Sequence, residues 1–253
     1  MKHCLIAVLG IALALPSCHT YYTPSEAESR NLRVRDFAPP GQDTEAHPLD
    51  EIIAPYKESL DERMNTVIGR ANKTLTKQRP ESTLGNWMAD AMQNQVNELD
   101  VQPVDVSIQN HGGIRVPELN EGDVTVRHIY ELMPFDNLMV ILDLSGPMTQ
   151  RFFDHMAEDG GWPISSGASY VLLQKKAQQL TIGGEAIQAD KVYRIAMPDY
   201  IANGGGDCDF LRDIPQENTG MLVRDLLIKE VAARSAAGEP ITAKVDGRVR
   251  WGE

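Results

Sequence analysis

"VSIQNHGGIRVP", Val106 to Pro117, opens as a strand and then stops on an amide, an imidazole and two glycines. Arg115 follows three residues after Gly112. Two readings of this stretch stand side by side. One is a simple turn, the usual business of paired glycines after a strand. The other is an anion site, in which backbone N–H groups and a guanidinium converge on a phosphate. The rest of the chain decides between them.

Composition narrows the choice. The chain is 42% hydrophobic, 24% charged and 6% aromatic, as expected for a globular protein. Its formal net charge is −12, from 36 acidic against 24 basic residues. Such a surface disfavours long nucleic acids, whose binding rests on neutralising many phosphates. A single small anion held by a local arginine remains compatible with it.

The first residues, "MKHCLIAVLGIALALPSC", read as an export signal: Lys2, then a short apolar run from Cys4 to Leu15, too short to span a bilayer. Leu15-Pro16-Ser17-Cys18 resembles a bacterial lipobox, which predicts a signal peptide over 1–17 and a lipidated Cys18. The plainer alternative is a conventional signal cut nearby, with Cys18 incidental. Lipidation implies an exported protein anchored to a bacterial membrane, periplasmic or at the cell surface. It leaves Cys208 as a single cysteine, so no intrachain disulfide is expected. Residues 18–48 mix proline, glycine and polar residues without periodicity and read as a tether.

From Leu49 the pattern changes to helical periodicity, and a folded domain is expected over 49–253. Leu49, Ile52, Ile53, Tyr56, Leu60, Met64 and Val67 recur at helical spacing, with Pro55 near the start. "ESTLGNWMADAMQNQVNEL" predicts a second helix capped by Ser82 or Thr83. "VDVSIQ", "NLMVILDLSG", "ASYVLLQ", "AQQLTIGG", "VYRIAMP" and "AKVDGRVRW" predict strands, while "TVRHIYELMP", "GPMTQRFFDHMAED" and "GMLVRDLLIKEVAAR" predict helices. This irregular mixture predicts an α+β fold.

Four clusters carry the chemistry: "RPESTLGNWMADAM", "NHGGIR", "MPFDN" and "DYIANGGGD". Singly, each is a packed helix, a turn, a helix end or a loop. Together and in this order they resemble the C-terminal domain of the 5'-nucleotidase family, from about Leu49 to Trp251. The Asn-x-Gly-Gly-Ile-Arg motif, the Pro-Phe pair about twenty residues later and Tyr-x-Ala-Asn-Gly-Gly carry the likeness. The resemblance implies a layered mixed-sheet domain that grips a nucleotide. Phe135 and Tyr200 would sandwich the base, an arrangement worth about 1–3 kcal/mol per stacked base. Arg115 would hold phosphate, with Gly112 and Gly113 letting the backbone approach it, and Asn110 would contact base or sugar. Asp207 would accept from ribose hydroxyls, and Arg79 would be a further phosphate arginine. Four departures stand out: His111 replaces a small residue, Tyr200 replaces phenylalanine, the loop "NGGGDC" carries an extra glycine, and Arg79, followed by Pro80, sits one residue off the expected offset.

Complete 5'-nucleotidases also carry a two-metal phosphoesterase domain, whose Asp-x-His and Gly-Asn-His motifs are not found here. No catalytic residue, metal ligand or cofactor is therefore expected in this chain, and divalent metals are expected in a separate metallophosphoesterase partner. Two functions follow from the resemblance. The first is the substrate-binding half of an exported nucleotide phosphohydrolase; the second is a non-catalytic lipoprotein that captures nucleosides or nucleotides.

Overall fold

In the computed structural model, residues 48–99 and 102–252 are described. The expected signal segment, Cys18 and the tether up to residue 47 lie outside them. Residues from Ile52 onward make one unit. Helix α1 (Pro48–Met64) carries Pro55 inside it. Its apolar residues keep the expected helical spacing, but Ile52, Ile53, Tyr56 and Leu60 are all exposed.

The sequence run "LMVILDL" explains the architecture. It forms β6 (Leu138–Ser145), paired antiparallel with β10 (Val192–Pro198) on one side and β11 (Gln216–Leu222) on the other. β10 in turn pairs in parallel with β3 (Val106–Ser107), giving the order β11-β6-β10-β3. Residues along β6 alternate between two cores. Val140, Leu142 and Leu144 join Tyr193, Ile195 and Met197 in one, together with Phe152, Phe153 and Met156 of α4 (Gly146–Glu158). Met139, Ile141 and Ala196 join the other, with Leu84, Met88 and Met92 of α2 (Thr83–Asn97), Ile129 of α3 (Val126–Leu132) and Leu226, Leu227 and Val231 of α6 (Val223–Ala236). Where the strand is buried on both faces it has no polar side to show, so its sequence is continuously apolar from Leu138 to Leu142, and Asp143 falls at an exposed position.

A second sheet covers the first core. β7 (Ala168–Leu173), β8 (Lys176–Ile182) and β9 (Glu185–Ala186) run as antiparallel neighbours, and β12 (Val249–Trp251) adds in parallel to β7. The β7–β8 turn places Gln174 and Lys175 at φ 50° and 61°, a twist that matches paired strands. Two small ladders complete the unit: β1 (Val67–Ala71) with β5 (Gly122–Thr125), and β2 (Leu75–Thr76) with β4 (Glu118–Leu119). The result is the expected layered α+β arrangement.

Local chemistry sets the helix starts. Ser82 caps α2, its Oγ accepting from the Gly85 N–H at 3.0 Å. Pro147 sits in the first turn of α4, where a missing N–H costs nothing. Buried charge is paired: Arg248, 6% exposed, donates to both carboxylate oxygens of Asp90 (2.8 and 3.1 Å), to Asp246 (2.9 and 2.8 Å) and to the Ile164 carbonyl (3.0 Å). Among the described residues no helix is long and apolar enough to cross a membrane.

Candidate functional site

Three adjacent strands deliver their ends to one place. β3 runs out at Ser107 into Gln109 and Asn110; β10 ends at Pro198 and passes directly into Asp199 and Tyr200 of α5 (Asp199–Ala202); β6 begins at Leu138, just after Phe135 and Asn137. A cavity of about 280 Å³ opens there. Gln109, Asn110, Gly112, Gly113, Arg115, Met133, Phe135, Asn137 and Tyr200 line it. Ligand sites commonly sit beyond the carboxyl ends of parallel strands, and β3 and β10 are such a pair.

The Asn110–Arg115 segment is built tightly. His111–Gly113 form one 3₁₀ turn, with the Gly113 N–H donating to the Asn110 carbonyl at 3.0 Å. A side chain at Gly113 would bring its Cβ within 1.9 Å of Gln109 Nε2 and 2.7 Å of Asn110 Oδ1, so any larger residue would have to displace both side-chain amides. Arg115 is exposed, donates to the Gly112 carbonyl at 3.3 Å and lies 5.7 Å from the Phe135 ring centroid. Phe135 is 40% exposed and Tyr200 49%. Large aromatic rings left this open on a cavity wall are available for stacking.

Each ring is braced from behind. Arg224 stacks on Tyr130 (4.2 Å), pairs with Asp136 (2.7 Å) and donates to the Phe135 carbonyl (3.4 Å), which fixes the Pro-Phe turn. The Tyr200 hydroxyl accepts from the Gly206 N–H at 3.2 Å, and its carbonyl accepts from Gly205 at 2.7 Å. His155 Nε2 contacts the Gly206 carbonyl at 2.7 Å, and Gly204 and Gly206 take φ +92° and +65° to close the loop.

Cations gather beside the Asn110–Arg115 turn in a protein that is acidic overall. Lys77 donates to the Ile114 carbonyl at 2.7 Å, and its ammonium pKa is lowered by burial and by the charges of Arg115 and Arg79. The His111 imidazole is pushed down to about 4 by burial and by Arg79 and Lys77, with Asp159 opposing. Burial alone would raise the Asp159 carboxyl, but hydrogen bonds from Trp162 and Arg79 and nearby positive charge hold it below the usual range.

Of the residues singled out in the sequence, Asn110, Gly112, Gly113, Arg115, Phe135 and Tyr200 come together around this one cavity. Arg79 and Asp207 lie outside its lining. Arg79 pairs with Asp159 at 3.0 Å and donates to the Asp159 and Gly161 carbonyls. Asp207 is exposed, at φ +61°. Gln109, Met133 and Asn137 line the cavity without having been given a role, although Met133 and Asn137 are the two ends of the "MPFDN" cluster and Gln109 directly precedes Asn110. Among the described residues no three His, Cys, Asp or Glu side chains are grouped to hold a metal ion.

The motif geometry agrees with a family of known domains. The family described as "5'-nucleotidase, C-terminal domain" matches residues 65–213, more than half of the chain. The chain belongs to this family. Among its relatives, the 5'-nucleotidase of Vibrio vulnificus (strain CMCP6) is 26% identical over 189 residues, covering 71% of this chain and 33% of that protein. Protein UshA of Escherichia coli (strain K12) is 24% identical over 210 residues, covering 79% of this chain and 37% of that protein. The crystal structure of a 5'-nucleotidase precursor from Thermus thermophilus superposes with a TM-score of 0.67 at 22% identity, covering 80% of this chain and 42% of that one. The chain thus spans about a third of the length of these curated relatives, and the structural likeness lies in the fold.

Proposed function

We propose that this chain is the substrate-gripping part of an exported 5'-nucleotidase-type phosphohydrolase, serving nucleotide catabolism. The observation that carries this reading is the convergence of Asn110, Arg115, Phe135 and Tyr200 on a single cavity. The two exposed rings take a nucleobase between them, and stacking tolerates different bases because every base has a flat face. Arg115, exposed beside the Phe135 ring, takes the phosphate, its planar fork matched to two oxygens. Arg79 adds to the positive field from behind its pairing with Asp159. Asp207, next to the glycine loop, reaches the ribose.

In this reading the hydrolytic step belongs to a separate metallophosphoesterase protein with its own divalent metals, and lipidation at Cys18 holds the chain at a bacterial membrane. The test is a phosphate-release assay on nucleoside monophosphates with added Zn²⁺, Mn²⁺ or Mg²⁺. The isolated chain should release none; the chain with a metallophosphoesterase partner should turn over, and Arg115→Ala should depress that turnover. Robust release by the repurified chain alone would overturn the division of labour. Tight nucleotide binding with no partner able to restore turnover would instead mark a capture protein. Mass spectrometry of the native protein should find diacylglycerol on Cys18; an unmodified cysteine would remove the anchor.

A further inference from the structure

Two of the three side-chain amides that line the cavity, Asn110 and Asn137, are each held in one orientation by a neighbouring residue. Gln109 is fully buried. Its Nε2 lies 3.4 Å from the Asn110 backbone carbonyl and 3.0 Å from Asn110 Oδ1. A backbone carbonyl only accepts, so the Gln109 atom facing it must be the NH₂ group. That NH₂ then dictates that the Asn110 side-chain atom 3.0 Å away is the oxygen, which leaves Asn110 Nδ2 as the free end, a donor. Elsewhere in the lining, Asn137 Nδ2 donates to Asp199 Oδ1 at 2.9 Å. A carboxylate accepts only, so this bond leaves Asn137 Oδ1 as the free end, an acceptor. Among the described residues neither free end has a partner.

Gln109 keeps this arrangement at a cost. Its own Oε1 is buried with no hydrogen-bond partner, a situation that ordinarily disfavours a polar residue at such a position. A methionine or leucine there would fill the space without an orphaned acceptor. The amide therefore serves the wall it orients better than it serves the core.

The geometry assigns Gln109 and Asp199 as positioning residues that set Asn110 and Asn137 in opposite polarity. The cavity thereby presents one donor and one acceptor to the edge of its ligand. It fits a nucleobase that offers a ring-nitrogen acceptor together with an exocyclic amino donor. This selectivity rests on the cavity being the nucleoside site, and it goes beyond stacking, which does not distinguish one base from another.

Calorimetry with adenosine, purine riboside (no amino group) and 1-, 3- and 7-deazaadenosine (each lacking one ring acceptor) tests it. The wild-type protein should bind purine riboside and one of the deaza analogues about tenfold more weakly than adenosine, one hydrogen bond each. Gln109→Met should erase the deaza penalty and keep the amino preference, with thermal stability unchanged or raised. Asp199→Ala should erase the amino preference and keep the deaza penalty, while Asp199→Asn, which retains an acceptor, should keep both. Equal binding of all five nucleosides by the wild type, or discrimination that survives both Gln109→Met and Asp199→Ala, would overturn the assignment while leaving a nucleoside site intact. Failure of the wild type to bind any nucleoside would overturn the site and this assignment together.

Discussion

His111 stands where a small residue was expected, and its surroundings make it a reporter. Burial and the charges of Arg79 and Lys77 depress its imidazole from 6.5 to about 4. The unfolded chain takes up this proton near 6.5 and the folded protein only near 4, so its contribution to stability is complete above 6.5 and is lost as the pH falls through that window. A bound phosphate dianion would reverse the local field. We expect NMR titration of His111 to give a pKa about 4 in the free protein, unchanged by adenosine and raised by AMP; equal values in both complexes would separate the anion from this cluster. At the same scale Phe135→Ala should weaken adenosine and AMP alike, by about 1–3 kcal/mol, whereas Arg115→Ala should weaken AMP selectively. Calorimetry showing equal losses for the two ligands in the Arg115 variant would contradict its assignment. Motif residues such as Asn110, Arg115 and Phe135 were legible in the sequence because chemistry and spacing coincide in short stretches. Asn137 was not, since its orientation depends on Asp199, brought beside it only by the pairing of β6 with β10.

At the level of elements, the glycine loop after α5 is shaped around a ring. A Cβ on Gly205 would lie 2.5 Å from Tyr200 Cζ and 2.5 Å from its carbonyl oxygen. Gly205→Ala should therefore displace Tyr200 and weaken adenosine and AMP by similar factors; calorimetry with unchanged affinities would show that the ring takes no part. Helices α2, α4 and α6 were readable from periodicity because each turns one stripe to a core, with the Ser82 cap marking the start of α2 and Pro147 that of α4. β11 was not, since as an edge strand most of its side chains are partly or fully exposed and "QENTGML" carries no alternating pattern. The expected closing strand shrinks to Val249–Trp251, and the sixth helix begins at Val223 because the preceding residues pair with β6. α1 shows the limit of periodicity: it forms a helix, and Ile52, Ile53, Tyr56 and Leu60 stay exposed. Spacing encodes which residues share a face, not whether anything covers it.

Across the whole unit, Arg248 ties the C-terminal segment to α2 and to the Ile164 carbonyl. Arg248→Ala would strand the carboxylates of Asp90 and Asp246 without their partner and should destabilise the protein by about 3 kcal/mol, measured by denaturant unfolding at neutral pH. A loss below about 0.5 kcal/mol would reduce the network to an ordinary surface pair. The layered architecture was foreseeable from "LMVILDL", whereas the clustering of the site required knowing that β3 and β10 run parallel side by side. That arrangement has a further consequence for how the protein breathes. The cavity walls hang from strands enclosed by two cores, so their amides should exchange with deuterium only when the whole sheet opens. A ligand gripping all three strand ends should then slow exchange at Met139–Leu144 and Ile195–Met197 by the same factor as its binding free energy dictates, far from any atom that it touches.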